Sequence, residues 1–149
     1  MKFDKNNPIM KKLSIIILVS IFTLSCNCKK NIVSNVNSEN LHRKWMLVSY
    51  KNYTKDDLIK KEAFLDMTNK ERASSKMGCN SMSFGYSVTG NAITFTQGMG
   101  TKMFCQDMNL ETDFLNDLPK MITIVIEGHK MTLNGKDNEK MEFIAQDWD

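Results

Sequence analysis

Cysteine is the residue type in this sequence best suited to covalent or metal chemistry. The 149-residue chain contains four cysteines and two histidines, namely Cys26, Cys28, Cys79, Cys105, His42 and His129. A nucleophilic cysteine needs a base within hydrogen-bond reach, and a structural zinc needs about four ligands. Neither histidine belongs to a motif that supplies such a group, and no serine-hydrolase, zinc-peptidase or phosphate-loop motif is present. The sequence therefore disfavours an enzyme, with no cofactor and no metal expected.

Cys26 ends a segment typical of exported bacterial lipoproteins. Four lysines, Lys2, Lys5, Lys11 and Lys12, precede an uncharged apolar stretch over residues 13–24. This stretch is too short to span a bilayer, since spanning takes ~20 residues. Ser25 then precedes Cys26, as in the site cut by lipoprotein signal peptidase. We predict a signal peptide over residues 1–25 and lipidation, including palmitate, at Cys26. Ordinary signal cleavage nearby is the alternative.

Residues 26–40 are expected to form the lipidated cysteine and a flexible tether. Asn, Ser and Lys dominate this stretch, and such a composition buries too little apolar surface to order itself. A multiply acylated cysteine anchors a protein without a transmembrane helix. No acidic cluster follows Cys26. We therefore expect an outer-membrane-anchored lipoprotein of the cell envelope that faces the periplasm.

The net charge of +3 belongs to the predicted signal peptide. Without residues 1–25 the chain has 16 basic and 16 acidic residues. No basic stripe is left to attract phosphates, so nucleic acid is not an expected partner.

Cys79 and Cys105 form the cysteine pair of the predicted domain. An even pair in an exported protein is typical of a disulfide, and this one would close a loop of about 25 residues and contribute ~3 kcal/mol. Two buried free thiols or part of a metal site are the alternatives.

Asn80 could orient a base beside Cys79, although a turn residue that bonds backbone groups is the simpler interpretation. Glu111 fits a favourable acid at a helix start.

Ten of the twelve methionines lie beyond residue 25. Met99, Met103 and Met108 flank Cys105, and a cluster of thioethers with a thiolate would suit Cu(I). Methionine also fills irregular gaps in cores. We interpret these residues as core packing.

Alternating apolar and polar residues predict a mostly antiparallel β domain. Lys44–Tyr50 and Ala63–Met67 are strand candidates, and the large residues from Met82 to Val88 fall on one face of a third. Turn signals at Gly90, Gly128 and Asn134 then separate further short strands up to Ala145. One helix interrupts them, because Leu110, Phe114 and Leu118 are spaced four apart and Pro119 ends the run. The fold class predicted is α+β, an antiparallel β meander that closes into a barrel-like sheet with one amphipathic helix packed on it.

Gly78-Cys79-Asn80, followed by Tyr86, forms one motif of the sequence, and Thr101, Met103 and Cys105 form a second. These resemble the "GCN…Y" and "T.M.C" motifs of the META domain family, which includes the heat-inducible HslJ protein. Further matches come in the family's order over residues 41–146, and are Leu41, Trp45, Leu47, Tyr50, Glu111, Phe114, Leu118, Gly128, Met131 and Leu133. The domain is therefore assigned to residues 41–149.

The resemblance implies a compact barrel-like domain, common in envelope lipoproteins and linked with heat shock, antibiotic resistance and secretion. It implies no catalytic mechanism. We expect a non-enzymatic, stress-related binding or chaperone-like module, acting as a monomer, whose partner is an envelope protein or a hydrophobic ligand. Its expected ligand surface is the apolar groove between helix 109–118 and the sheet. A carrier of a small hydrophobic ligand inside the barrel, and a cysteine- or metal-dependent enzyme, are the alternative hypotheses.

Overall fold

The structure, a computed structural model, describes residues 36–148. The predicted signal peptide, Cys26 and most of the predicted tether lie outside the described residues. The three helices are α1 (Ser38–Leu41), α2 (Lys55–Lys60) and α3 (Asn109–Asp117), and a 3₁₀ turn over Leu118–Lys120 follows the last. The strands are β1 (Lys44–Tyr50), β2 (Phe64–Asp66), β3 (Arg72–Lys76), β4 (Ser81–Thr89), β5 (Ala92–Phe95), β6 (Met99–Gly100), β7 (Thr123–Glu127), β8 (Lys130–Asn134) and β9 (Lys140–Ala145).

Eight of these strands close into an antiparallel barrel. Their order is β3-β2-β1-β9-β8-β7-β5-β4, and β4 then pairs with β3 from Lys76↔Ser81 to Arg72↔Gly85. Closure removes the open edges that an eight-stranded sheet would otherwise expose. The predicted fold class, an α+β barrel-like meander with one main helix, is confirmed.

Side chains fill the interior of the barrel. Trp45, Phe84 and Phe143 are at most 1% exposed, and the indole Nε1 of Trp45 donates a hydrogen bond of 3.1 Å to the carbonyl of Leu41. Most of the alternating strand residues predicted to face inward are buried, but Tyr86 and Val88 of β4 are only half-buried. A ligand inside the barrel would have to displace these side chains.

Four short elements, α1, α2, β3 and β6, were not predicted from the sequence. Strand β3 has the sequence RASSK, in which the inward-facing residues are the small Ala73 and Ser75, so no large apolar residue marks it. Helix α2, in contrast, begins with a recognisable sequence signal. Thr54 caps it by accepting a hydrogen bond from the amide of Asp57, the spacing of a capping box.

Strands β5 and β6 follow the same edge of β4 but are separated by a bulge. Tyr86 of β4 faces Phe95, whereas Ser83 faces Met99, which is a shift of one residue in register. Gly98 lies in the bulge, and a Cβ atom added there would come within 2.3 Å of the Phe84 ring. Glycine therefore allows the chain to cross closely over β4 before it continues into the segment that precedes α3.

Helix α3 lies across the end of the barrel at which β1 ends and β4 begins. Phe114 packs edge-on against the rings of Tyr50 and Phe84, at centroid distances of 6.4 Å and 6.2 Å. Asp117, on the last turn of α3, accepts a hydrogen bond of 2.8 Å from the hydroxyl of Tyr50 and forms an ion pair with Lys51. These contacts fix α3 against the end of β1, which lies about sixty residues earlier in the chain.

The charge of Asp117 is stabilised by its neighbours. Burial by itself raises the pKa of this carboxyl, but hydrogen bonds from Lys120, Lys51 and Tyr50 lower the pKa to about 2. Burial and the hydrogen bond to Asp117 both raise the pKa of Tyr50. The pair therefore stays as a carboxylate and a neutral phenol, and its contribution to stability is lost only as the pH falls from about 4 towards 2.

Among residues 36–148, no helix is both long and apolar enough to cross a membrane.

Candidate functional site

The structure brings the two cysteine-bearing motifs together. Gly78, Cys79 and Asn80 connect β3 to β4, and Thr101–Cys105 follow β6 on the way to α3. A disulfide joins Cys79 to Cys105, with their Cα atoms 6.4 Å apart. The alternatives of free thiols and of a metal site that includes these sulfurs do not describe this structure.

Asn80 holds the segment after β6 in place. Its side-chain oxygen Oδ1 accepts hydrogen bonds from the Thr101 hydroxyl at 2.6 Å and from the Met103 amide at 2.8 Å. Its Nδ2 group donates to the Met103 carbonyl at 3.1 Å and to Glu111 Oε1 at 2.7 Å. A primary amide offers two donors and two acceptor sites, and Asn80 uses all four although it is only 1% exposed.

Glu111 completes this network from the first turn of α3. Its Oε2 atom accepts a hydrogen bond of 2.7 Å from the Asn80 backbone amide, while Oε1 accepts from the Asn80 side chain. The carboxylate is 7% exposed and forms no ion pair with any residue that the structure describes. Glu111 therefore joins the helix to the start of β4. It does not accept a hydrogen bond from the Asn109 amide at the helix start, because Asp107 Oδ1 accepts that bond.

Gly78 gives the chain the backbone conformation that this network needs. Its φ of +118° lies in the region that side chains disfavour, and Lys61 packs 3.4 Å from the position of a Cβ atom. A side chain at residue 78 would strain the turn that presents Cys79 and Asn80.

Tyr86, the remaining motif residue, lies in a separate cluster. Its hydroxyl donates a hydrogen bond of 2.8 Å to the carbonyl of Asn69 and lies 3.2 Å from His42 Nδ1. Burial raises the pKa of Tyr86. The residue thereby fastens the β2–β3 connection to β4 and does not contact the Asn80 network.

An open groove lies beside the segment that Asn80 fixes. It is bounded by residues 98–104 on one side and by Met108–Leu115 of the α3 region on the other, and its volume is about 650 Å³. We call it the methionine groove, because Met82, Met99, Met103 and Met108 all line it. The methionine groove corresponds to part of the groove that the sequence predicted between helix 109–118 and the sheet.

Large apolar side chains are exposed at the rim of the methionine groove. Phe104 is 95% exposed, Met99 is 67% exposed and Met103 is 56% exposed. The interpretation of these flanking methionines as core packing is therefore wrong for Met99 and Met103, and Met108 is only half-buried. The fixed loop carries them outside the barrel, whereas six other methionines are buried, namely Met67, Met77, Met82, Met121, Met131 and Met141.

The two histidines lie in other contacts. His42 Nδ1 is 3.1 Å from the Met67 carbonyl, and the ring of His129 stacks on Trp148 with centroids 3.8 Å apart. Among the described residues, no group of three or more His, Cys, Asp or Glu side chains is arranged to hold a metal ion.

Comparison with known proteins places this domain in a family. The META domain family model matches residues 38–148, which is most of the chain. The chain belongs to the META domain family. The family predicted from the motifs is thus confirmed, and the match begins within α1. No curated protein matches the sequence.

Solved structures show the same fold as this META domain. An NMR structure of a protein from Burkholderia xenovorans is 18% identical with a TM-score of 0.62, over 74% of this chain and 86% of that one. A second NMR structure is 19% identical with a TM-score of 0.57, over 73% of this chain and 93% of that one. A crystal structure of a DUF4847 family protein from Bacteroides vulgatus is 9% identical with a TM-score of 0.53, covering 74% and 96% of the two chains. At these identities the likeness concerns the fold alone.

Replacing Asn80 with Ala should destabilise this META domain by about 2–4 kcal/mol, because the Glu111 carboxylate and the Met103 amide lose buried partners. Urea unfolding measures the loss. Asn91→Ala is the matched control, since Asn91 Oδ1 is buried without a hydrogen-bond partner among the described residues, and it should cost less than about 1 kcal/mol. Equal losses for the two variants would contradict the role given to Asn80.

Proposed function

We propose that this META domain is a non-enzymatic binding module, chaperone-like in action, that contacts apolar segments of a partner through the methionine groove. The observation that carries the proposal is the exposure of Phe104, Met103 and Met99 on a loop that buried hydrogen bonds and a disulfide hold in place. Single exposed apolar residues are ordinary, but several large ones around one open groove are typical of an interaction site.

A fixed loop favours binding because its backbone is already ordered. Fixing the backbone of a residue costs about 1–2 kcal/mol, so a prearranged loop loses less conformational entropy on association. Asn80 bonds both the backbone amide and the carbonyl of Met103, and Phe104 follows directly. Covering a side chain such as that of Phe104 contributes about 1.5–3 kcal/mol. Methionine and phenylalanine together suit partners of varied sequence, since the thioether chain adapts its shape.

The engaged state of the motif residues supports a binding role over catalysis. Cys79 is held in the disulfide, and every hydrogen-bonding group of the Asn80 amide already has a protein partner. Neither is left to act on a substrate in this structure. The packed barrel interior likewise gives no room for the carrier alternative without rearrangement.

We further propose that the domain acts as a monomeric envelope lipoprotein under stress, anchored at Cys26 and facing the periplasm. The apolar stretch before Ser25 and the balanced charge beyond it support export and a lipid anchor. Its partner would then be an envelope protein that exposes apolar segments.

Cells fed radioactive palmitate should label the wild-type chain, and the label should be absent from Cys26→Ala, because only Cys26 occupies the predicted acylation position. Cys28→Ala is the control and should label like wild type. Label in Cys26→Ala, or none in wild type, would refute the anchor.

The binding role is tested with reduced and alkylated α-lactalbumin, a chain that cannot refold. The double variant Met103→Ser/Phe104→Ser should bind it about tenfold more weakly than the wild-type domain, since it removes two of the exposed apolar side chains that the proposal places in contact with the partner. Surface plasmon resonance measures the affinities on chains carrying Cys26→Ser to keep them in solution.

Ile59→Ser is the matched control, because Ile59 is 59% exposed on α2 and does not line the methionine groove. It should bind like wild type. The proposed function fails if the wild-type domain does not bind the unfolded chain or if both variants lose affinity equally. A bound lipid in native mass spectrometry would favour the carrier hypothesis instead.

A further inference from the structure

Methionine side chains line the methionine groove from three parts of the fold. Met82 comes from β4, Met99 and Met103 from the segment around β6, and Met108 from the residue before α3. Met82 is 3% exposed, whereas Met99 and Met103 are exposed. The groove therefore presents four thioether side chains, from a buried one to largely exposed ones.

These thioether ligands suit only a small class of metal ions. Because Cys105 is in the disulfide, the groove presents neutral thioethers without a thiolate. Soft thioethers select Cu(I) and are poor ligands for harder divalent ions. The described residues include no arrangement of His, Cys, Asp or Glu that would hold zinc or another harder ion. Thioethers also cannot be lost to disulfide formation in an oxidising compartment.

The charges that line the groove are those of Glu111 and Lys102. The Glu111 carboxylate is buried and pairs only with amide donors of Asn80, so its charge is not cancelled by a neighbouring cation among the described residues. Lys102 is exposed, and water and salt screen its ammonium group. The balance permits a monovalent cation between the sulfurs.

We infer that the thioethers of Met99, Met103 and Met108, together with that of Met82, form a binding site for a soft monovalent cation, Cu(I) or Ag(I). The site uses the same groove as the proposed function but different atoms, namely sulfur rather than apolar surface. Binding involves no change in oxidation state of the protein or the metal.

The test is a titration of the full chain with Ag(I) alone, followed by native mass spectrometry and calorimetry. Cys26→Ser and Cys28→Ser are introduced first, and a thiol assay that finds no free thiol shows that the disulfide is intact. This chain should bind one Ag(I). The triple variant Met99→Leu/Met103→Leu/Met108→Leu should bind about tenfold more weakly or not at all, since leucine keeps the apolar volume without the sulfur.

Met46→Leu is the control, because Met46 lies on β1 and does not line the groove. It should bind Ag(I) like the parent chain. If the triple variant does not fold by circular dichroism, the single variants Met99→Leu and Met103→Leu, both at exposed positions, replace it. The inference is wrong if the parent chain retains no Ag(I), or if the leucine variants bind as tightly as the parent.

This experiment separates the two proposals. The leucine variants keep the apolar rim, so they should still bind reduced and alkylated α-lactalbumin. Loss of Ag(I) binding with retained protein binding supports both proposals. Retained protein binding without any Ag(I) binding in the parent overturns the metal site alone.

Discussion

The side-chain amide of Asn80 is the contact on which the exposed surface of this META domain depends. It connects the start of β4, the Thr101–Met103 segment and the carboxylate of Glu111 on α3, with each donor and acceptor used once. Inside a protein, such a network rigidifies its surroundings only when every member is satisfied. The nearby disulfide ties the same two segments covalently. Together they hold the loop in a position where Phe104, Met103 and Met99 are exposed.

The barrel supplies the frame for this arrangement. Closure between β3 and β4 fixes where β4 begins, and the bulge at Gly98 shifts the register in which β6 pairs with β4 before the chain continues towards α3. The Asp117 ion pairs and the Phe114 contacts hold α3 from its other side. The groove therefore lies between two elements that are each held by their own contacts, the helix α3 on one side and the loop fixed by Asn80 and the disulfide on the other.

The sequence predicted those parts of the fold that follow a regular pattern. Alternation located the strands around Phe84 and Met131, and the spacing of Leu110, Phe114 and Leu118 located the helix. Strand β3 was not predicted because its inward-facing residues are small. It is a strand because it pairs with its neighbours, not because of its own composition. The order of the motifs identified Asn80 and Thr101 as candidate residues but did not predict their contact. A hydrogen bond between residues about twenty positions apart produces no periodic pattern in the sequence. The exposure of Met99 and Met103 was likewise hidden, because composition alone suits methionine to a core.

Hydrogen exchange at the Met103 amide tests the central claim directly. This amide belongs to an exposed residue, yet it donates to Asn80 Oδ1, whereas the amides of Lys102 and Phe104 donate to no acceptor within residues 36–148. If Asn80 fixes the loop, the Met103 amide should exchange about 100-fold more slowly than these two neighbours, measured by NMR on the wild-type domain. Equal, rapid exchange at all three amides would contradict the account.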